Sequence, residues 1–408
     1  MQAFKYPVQY FSCKDFERED MERFFHENMQ SWAKMGAAVG PIKGETGIPG
    51  LKLDFCNGLR LEIPRGDFYV RIGDADSGMV FYDACCSEVI LVSVEKYYIH
   101  WQVEVWCKGE KIFAHIFDPG GQRVHFVFCS RRLGDTLACL PYMLAFQKKY
   151  AVRASYYAAA YLQPLLAELC DIPYAENVSE DTYAAFYFAA GWDDPSKCLL
   201  DGRQIPLWQM GQVILNLSES AFVPPWRINP RRIQDPYVCI GVQATSTLKG
   251  WHYPRGWEIL VSYLLQRGYR VLCIDKEPYM SGPANYSSKI PPGAEDFTGD
   301  ISLVERADML SHAEFFIGLG SGLSWLAWTV GCPVVLIAGF SAFGYEFPTP
   351  YRVYNRLACN ACMNDMRIDW LNNPCHLGSR EPERLLECSR TITPSMVIDA
   401  VDRLLRNK

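Results

Sequence analysis

No apolar run in the 408-residue sequence approaches the roughly 20 residues that a membrane-spanning helix requires. The polar N-terminus, with Lys5, Lys14 and several acids, also lacks the apolar core of a signal peptide. A bilayer span is not expected, and a reducing cytoplasm is the expected location. Positive charge is not in excess either: 40 Lys and Arg against 46 Asp and Glu leave a net charge of −6, which argues against a nucleic-acid surface. The one Asp-x-Asp motif of the kind used by metal-dependent sugar transferases, Asp74-Ala75-Asp76, lies beside Gly73 and Gly78 and reads as a turn. Cysteine, by contrast, is abundant at sixteen residues. In a reducing compartment these are free core residues or metal ligands rather than bridges.

A chain of this length holds two or three domains. Phe16, Met21, Phe24, Phe25 and Met29 recur at helical spacing. From Leu51 to Phe117 the pattern becomes that of strands, with Leu59, Leu61 and Ile63 in strict alternation and turns at Gly66, Gly78 and Gly109. Residues 1–121 therefore predict a helix plus a separate small β-barrel or sandwich, with exposed aromatics suited to self-association. Residues 122–228 read as a first α/β half, with helices expected over 137–150 and 155–169. A proline-rich break around Pro224, Pro225 and Pro230 marks the linker. Residues 229–408 read as a second α/β half, and a cleft is expected between the two.

The loops name the chemistry. A strand over 124–129 runs through Ser130, Arg131 and Arg132 into Gly134-Asp135-Thr136 and a helix. There Gly134 suits a turn and Asp135 or Thr136 suits a cap, while strand ends of open α/β sheets also form ligand sites. In the second half, the glycine turn over 318–322 opens a helix, an arrangement that exposes amides to phosphate. Lys249 adds a full charge to that site, and Asp275 or Glu277 at a strand end is placed to accept from a ribose. Taken singly, each of these is also an ordinary turn or surface residue. Cys359, Cys362, Cys375 and Cys388 form C-x2-C-x12-C-x12-C, a four-thiolate finger over 357–390 that suits Zn or a single Fe. With no open coordination position its role is structural. A rubredoxin-like redox centre and a zinc-ribbon interaction module are the readings from other classes.

The succession Gly134-Asp135-Thr136, Lys249 with Trp251, Phe297-Thr298-Gly299-Asp300, and Gly320-Ser321-Gly322-Leu323 resembles the ADP-heptose-dependent heptosyltransferases of lipopolysaccharide synthesis. The N-terminal β region and the four-cysteine finger resemble one branch, the bacterial autotransporter heptosyltransferases. Where the lipopolysaccharide enzymes carry Asp-Thr-Gly-Leu-x-His, this chain has Gly320-Ser321-Gly322-Leu323-Ser324-Trp325, lacking a carboxylate and a histidine. The resemblance implies a GT-B fold and transfer of heptose from ADP-heptose to serine hydroxyls of an autotransporter adhesin, with inversion. It implies Asp135 as base and Lys249 at the diphosphate, and no metal in the transfer chemistry. Gly134, Thr136, Thr247, Trp251, Asp275, Thr298, Gly299, Gly320, Ser321, Gly322 and Leu323 become the substrate-binding set. It further implies iron in the finger and a homo-oligomer, possibly a dodecamer, built partly through the N-terminal domain. A lipopolysaccharide-type acceptor is the alternative.

Overall fold

The strands Tyr237–Gly241, Arg270–Cys273, Phe316–Leu319 and Val334–Ile337 are buried almost throughout, as strands covered on both faces must be. In the computed structural model they form a six-stranded parallel sheet with Glu295–Asp296 and Arg352–Val353. Numbered along the chain, the spatial order is 3-2-1-4-5-6, the doubly wound arrangement of dinucleotide-binding folds. Its switch point lies between Tyr237–Gly241 and Phe316–Leu319, so the loops after Gly241 and Leu319 flank the crevice where such sheets bind ligands. The helices Gly256–Gln266 and Pro394–Arg406 cover one face of the sheet, and Leu303–His312 and Gly322–Thr329 the other.

The structure describes residues 8–11, 41–94, 98–189, 202–218, 226–227, 229–281, 287–368 and 375–407. The helix expected on Phe16 to Met29, the loop around Trp192 to Pro195, and Pro224 and Pro225 of the linker lie outside those residues.

The first half departs from expectation in two ways. Its seven-stranded sheet runs, in spatial order, Val8–Phe11, Val89–Ser93, Arg60–Ile63, Lys52–Cys56, Ala184–Phe188, Arg123–Phe128, Arg153–Tyr157. Three strands assigned to a separate barrel or sandwich thus extend the sheet of the first α/β half, through the parallel pairing of Ala184–Phe188 with Lys52–Cys56. Only Phe68–Asp74, Val80–Cys86, Trp101–Cys107 and Glu110–Ile116 form a second, antiparallel sheet, and its buried face joins the same core. Strand pairing between distant segments leaves no trace in local periodicity, which is why the two groups of strands look alike in sequence. The second departure is Arg153–Tyr157, a strand paired with Arg123–Phe128 where a helix over 155–169 was expected. Only a 3-10 turn over Ala160–Leu162 and the α-helix Gln163–Leu169 are helical there, because tertiary pairing overrides the helical spacing at the start of the Ala- and Tyr-rich run.

Asp74-Ala75-Asp76 is a turn: Asp74 accepts from the Asp76 and Ser77 amides at 3.2 and 3.3 Å, and Gly78 has φ +72°. The halves are joined beyond their linker. Leu207 N donates to Tyr345 O at 2.8 Å, Trp208 Nε1 to Gly344 O at 3.0 Å, and Asn364 Nδ2 to Arg203 O at 2.8 Å.

Candidate active site

The helix Leu133–Tyr150 begins one residue before Gly134, with Arg132 at its N-cap and no side-chain cap. Gly134 is therefore not a turn residue, and neither Asp135 nor Thr136 caps the helix. The need for glycine is spatial: a Cβ at Gly134 would sit 2.8 Å from Trp325 Cδ1, on the first helix of the glycine turn in the other half. Asp135 occupies the exposed side of the first turn, half-buried, and accepts from Ser130 Oγ at 2.5 Å. Ser130 in turn accepts from Arg132 N at 3.1 Å, and Thr136 Oγ1 donates to Arg132 O at 3.2 Å. The carboxylate is thus held by its own loop.

Opposite it, Ser321 starts the helix Gly322–Thr329 in extended conformation, and its hydroxyl takes no first-turn amide. A Cβ at Gly322 would lie 3.1 Å from Leu133 Cβ, and one at Gly320 would lie 2.7 Å from Glu346 Oε1. The amino ends of two helices, one from each half, therefore meet at this point. Both dipoles present their positive ends to the same space, which suits an anion. Gly318, expected in the turn, belongs to the strand Phe316–Leu319 instead.

Lys249 ends the short turn Thr247–Lys249, in which the Leu248 amide is capped by Ser246 Oγ at 3.3 Å. Burial lowers the Lys249 pKa, the negative charges of Glu346 and Asp135 draw it back up, and Arg132 lowers it. The lysine of one half and the acid of the other are thus electrostatic neighbours. Glu346 is buried, takes the Ser341 hydroxyl and pairs with Arg352.

The remaining expected residues divide. Thr298 caps Asp296 with its amide and hydroxyl at 2.9 and 2.6 Å, and Gly299 adopts φ +102°, a conformation suited to glycine. Arg306, buried in Leu303–His312, holds this loop by donating to Ile274 O, Asp275 O and Gly299 O at 2.9, 3.0 and 2.8 Å. Leu323 packs against the end of the first strand at Gly241. Asp275 is 2% exposed, and its carboxylate accepts from the Val242 and Gln243 amides at 2.7 and 3.3 Å. Burial raises its pKa to about 6. It fastens the loop after Gly241 rather than facing a ribose. Trp251 is likewise turned inward, with Nε1 donating to Ile392 O at 2.8 Å and its ring filling the space over Gly256. Glu346, Arg306, Ser130 and Tyr161, which stands beside Asp135 and donates to Arg131 O at 2.6 Å, were not legible as site residues. No motif marks a lone Glu or Arg, and the fold alone sets Glu346 beside Gly320 and Arg306 beside Asp275.

Replacing Gly134 by Ala is expected to overpack the contact with Trp325 and cost about 1–3 kcal/mol of stability. Urea denaturation reads this directly, and an unchanged midpoint would remove the close approach as the reason for glycine.

Around the cysteine finger, residues 369–374 lie outside the described part. Among the described residues, no three His, Cys, Asp or Glu side chains stand at metal-holding distances. The four thiols nevertheless lie within each other's electrostatic reach, and Cys388 hydrogen-bonds Cys359, which makes the Cys359 thiol more acidic and the Cys388 thiol less so. The amides of Gly378 and Leu386 donate to Cys375 Sγ at 3.3 and 3.4 Å. The donor set fits a soft tetrahedral ion.

Two α/β halves, one with dinucleotide-binding order, meeting at a glycine turn, a lysine and a carboxylate, define a glycosyltransferase of GT-B type. Residues 138–368 match the profile of glycosyltransferase family 9 (heptosyltransferase), and residues 47–109 that of the N-terminal domain of glycosyltransferase TibC. The chain belongs to this family, among the autotransporter heptosyltransferases. It is 36% identical over 381 residues to the autotransporter heptosyltransferase BAHTCr of Citrobacter rodentium, covering 89% of this chain and 91% of that protein. The crystal structure of the iron-containing dodecameric glycosyltransferase TibC from enterotoxigenic E. coli superposes with a TM-score of 0.82 at 32% identity, covering 90% of this chain and 99% of TibC. TibC has also been crystallised with ADP-D-β-D-heptose. The inactive autotransporter heptosyltransferase BimC of Burkholderia thailandensis is 32% identical over 385 residues, covering 89% of this chain and 86% of BimC. No helix among the described residues is long and apolar enough to cross a membrane.

Proposed function

We propose that this protein transfers heptose from ADP-heptose to serine hydroxyls of an autotransporter adhesin in the cytoplasm. The observation that carries this reading is that Lys249 of one half lies within the electrostatic reach of Asp135 of the other, where two helix amino ends come together. A serine hydroxyl is a weak nucleophile at neutral pH and needs a base within hydrogen-bond reach. Asp135 takes the hydroxyl proton as the oxygen attacks the anomeric carbon, and the carbon–phosphate oxygen bond breaks with inversion. The charge that gathers on the departing ADP is met by Lys249 and by the amides around Ser321 and Gly322, with no metal ion required for the transfer. Thr247, Thr298 and Gly299 line the donor side; Asp296 holds Thr298 and Arg306 holds Gly299.

Ser130 and Thr136 keep Asp135 oriented, and the N-terminal β region contributes to a homo-oligomer, a dodecamer as in TibC. Incubation of the purified protein with ADP-heptose and an adhesin passenger domain tests the reading. ADP release with an inverted glycosyl-serine in the product's NMR spectrum supports it, and a retained anomeric configuration overturns the direct displacement.

The finger holds one iron ion through Cys359, Cys362, Cys375 and Cys388, and its role is structural. Because the segment has little apolar content, the metal supplies on the order of 10 kcal/mol of ordering free energy. Cys359→Ser, or prolonged chelation, is expected to release the ion and lower the melting temperature. A metal-free protein that melts like the wild type would refute the site.

A further inference from the structure

The segment that follows Lys249 is gripped by the cysteine finger. Ser389, next to Cys388 and 3% exposed, donates its hydroxyl to Gly250 O and accepts from His252 N at 2.8 Å. A hydroxyl has one proton, and the Gly250 carbonyl can only accept it. The contact of 2.9 Å between Ser389 Oγ and His252 Nδ1 therefore places the hydrogen on Nδ1. Trp251, between these two residues, donates from Nε1 to Ile392 O at 2.8 Å. Three consecutive residues after Lys249 thus hang on the short segment that follows the last cysteine. On its other side the turn Thr247–Lys249 is capped by Ser246 and anchored by the buried Leu248. The finger segment is itself braced against the second half: a Cβ at Gly339 would lie 2.6 Å from Cys388 O, and Ala361 N donates to Gly339 O at 2.9 Å.

We propose that Ser389 is a positioning residue that couples the cysteine finger to donor binding, setting the place of Lys249 through Gly250 and His252. The inference rests on the reading of Lys249 as a diphosphate ligand. It gives the finger a second consequence beyond folding its own loop. Ordering of the four cysteines fixes Cys388, Cys388 fixes Ser389, and Ser389 fixes the lysine some 140 residues earlier in the chain.

The test uses the full-length, metal-loaded protein, with ADP as the probe in calorimetry. Ser389→Ala removes three hydrogen-bond contacts and is expected to weaken ADP binding about tenfold. Its metal content stays at the wild-type level and its donor KM rises. Ser389→Thr, which keeps the hydroxyl, recovers part of the affinity. Chelation of the wild type weakens ADP binding as Ser389→Ala does, and chelation of Ser389→Ala adds nothing further, as a shared pathway requires. Wild-type ADP affinity in Ser389→Ala, or a chelation effect that adds in full to the mutation, overturns the proposal. Should Ser389→Ala fail to fold, His252→Ala gives the same reading: weaker ADP binding with retained metal supports the coupling, and unchanged affinity overturns it. A wild-type protein that binds no ADP would instead overturn the donor site itself.

Discussion

Asp135→Asn is expected to bind ADP-heptose like the wild type while kcat falls about 10²–10⁴-fold, the range a positioned general base supplies. The amide keeps the shape of the carboxylate and can still accept from Ser130, so the first turn of Leu133–Tyr150 stays as it is. What it loses is the capacity to take a proton from the acceptor serine. Calorimetry with the donor and single-turnover kinetics separate the two effects. Loss of donor binding would make Asp135 a binding residue, and wild-type turnover would remove it from the mechanism. The electrostatic neighbourhood of Asp135 and Lys249 makes a double variant informative as well, since their effects should be non-additive if the two groups serve one transition state.

Lys249→Ala is expected to weaken ADP-heptose binding about 10–100-fold, as loss of a charge-assisted contact of 1.5–3 kcal/mol requires. Its pH dependence follows from the shift. Burial depresses the Lys249 pKa, so the cation is lost at a lower pH than for an ordinary lysine as pH rises. Donor affinity should therefore fall on the alkaline side earlier than an exposed lysine would allow, and Lys249→Arg should carry binding to higher pH. An affinity that is flat across that range, or equal in Lys249→Ala, would contradict the phosphate role.

Much of the second half was legible in the sequence because its strands are short, apolar and bounded by turns, and its glycine turn opens a helix. The doubly wound order and the loops at the switch point follow from those same residues. Asp135 and Lys249 were legible as candidates, but only the fold brings them together. The pairing of Lys52–Cys56 with Ala184–Phe188 was not legible, because a long-range parallel pair has no local signature. Asp275 and Trp251 were assigned to the substrate on their positions in loops, and burial turns them toward the protein's own backbone. Gly134 was read as a turn for its torsional freedom, whereas it is required for the approach of Trp325. Glu346 and Arg306 come to the site because the fold sets them beside Gly320 and beside the strand end at Asp275, which no motif encodes.

One relative of this chain, BimC, is described as inactive, so family membership and turnover are separate facts here. The intact mass of an autotransporter passenger domain, measured after incubation with the purified protein and ADP-heptose, tests the transfer most directly. The account predicts that the passenger gains the mass of one or more heptose residues, mapped to serine, and that Asp135→Asn adds none in the same time. A passenger whose mass stays unchanged with the wild-type protein, while ADP-heptose is bound, would contradict it.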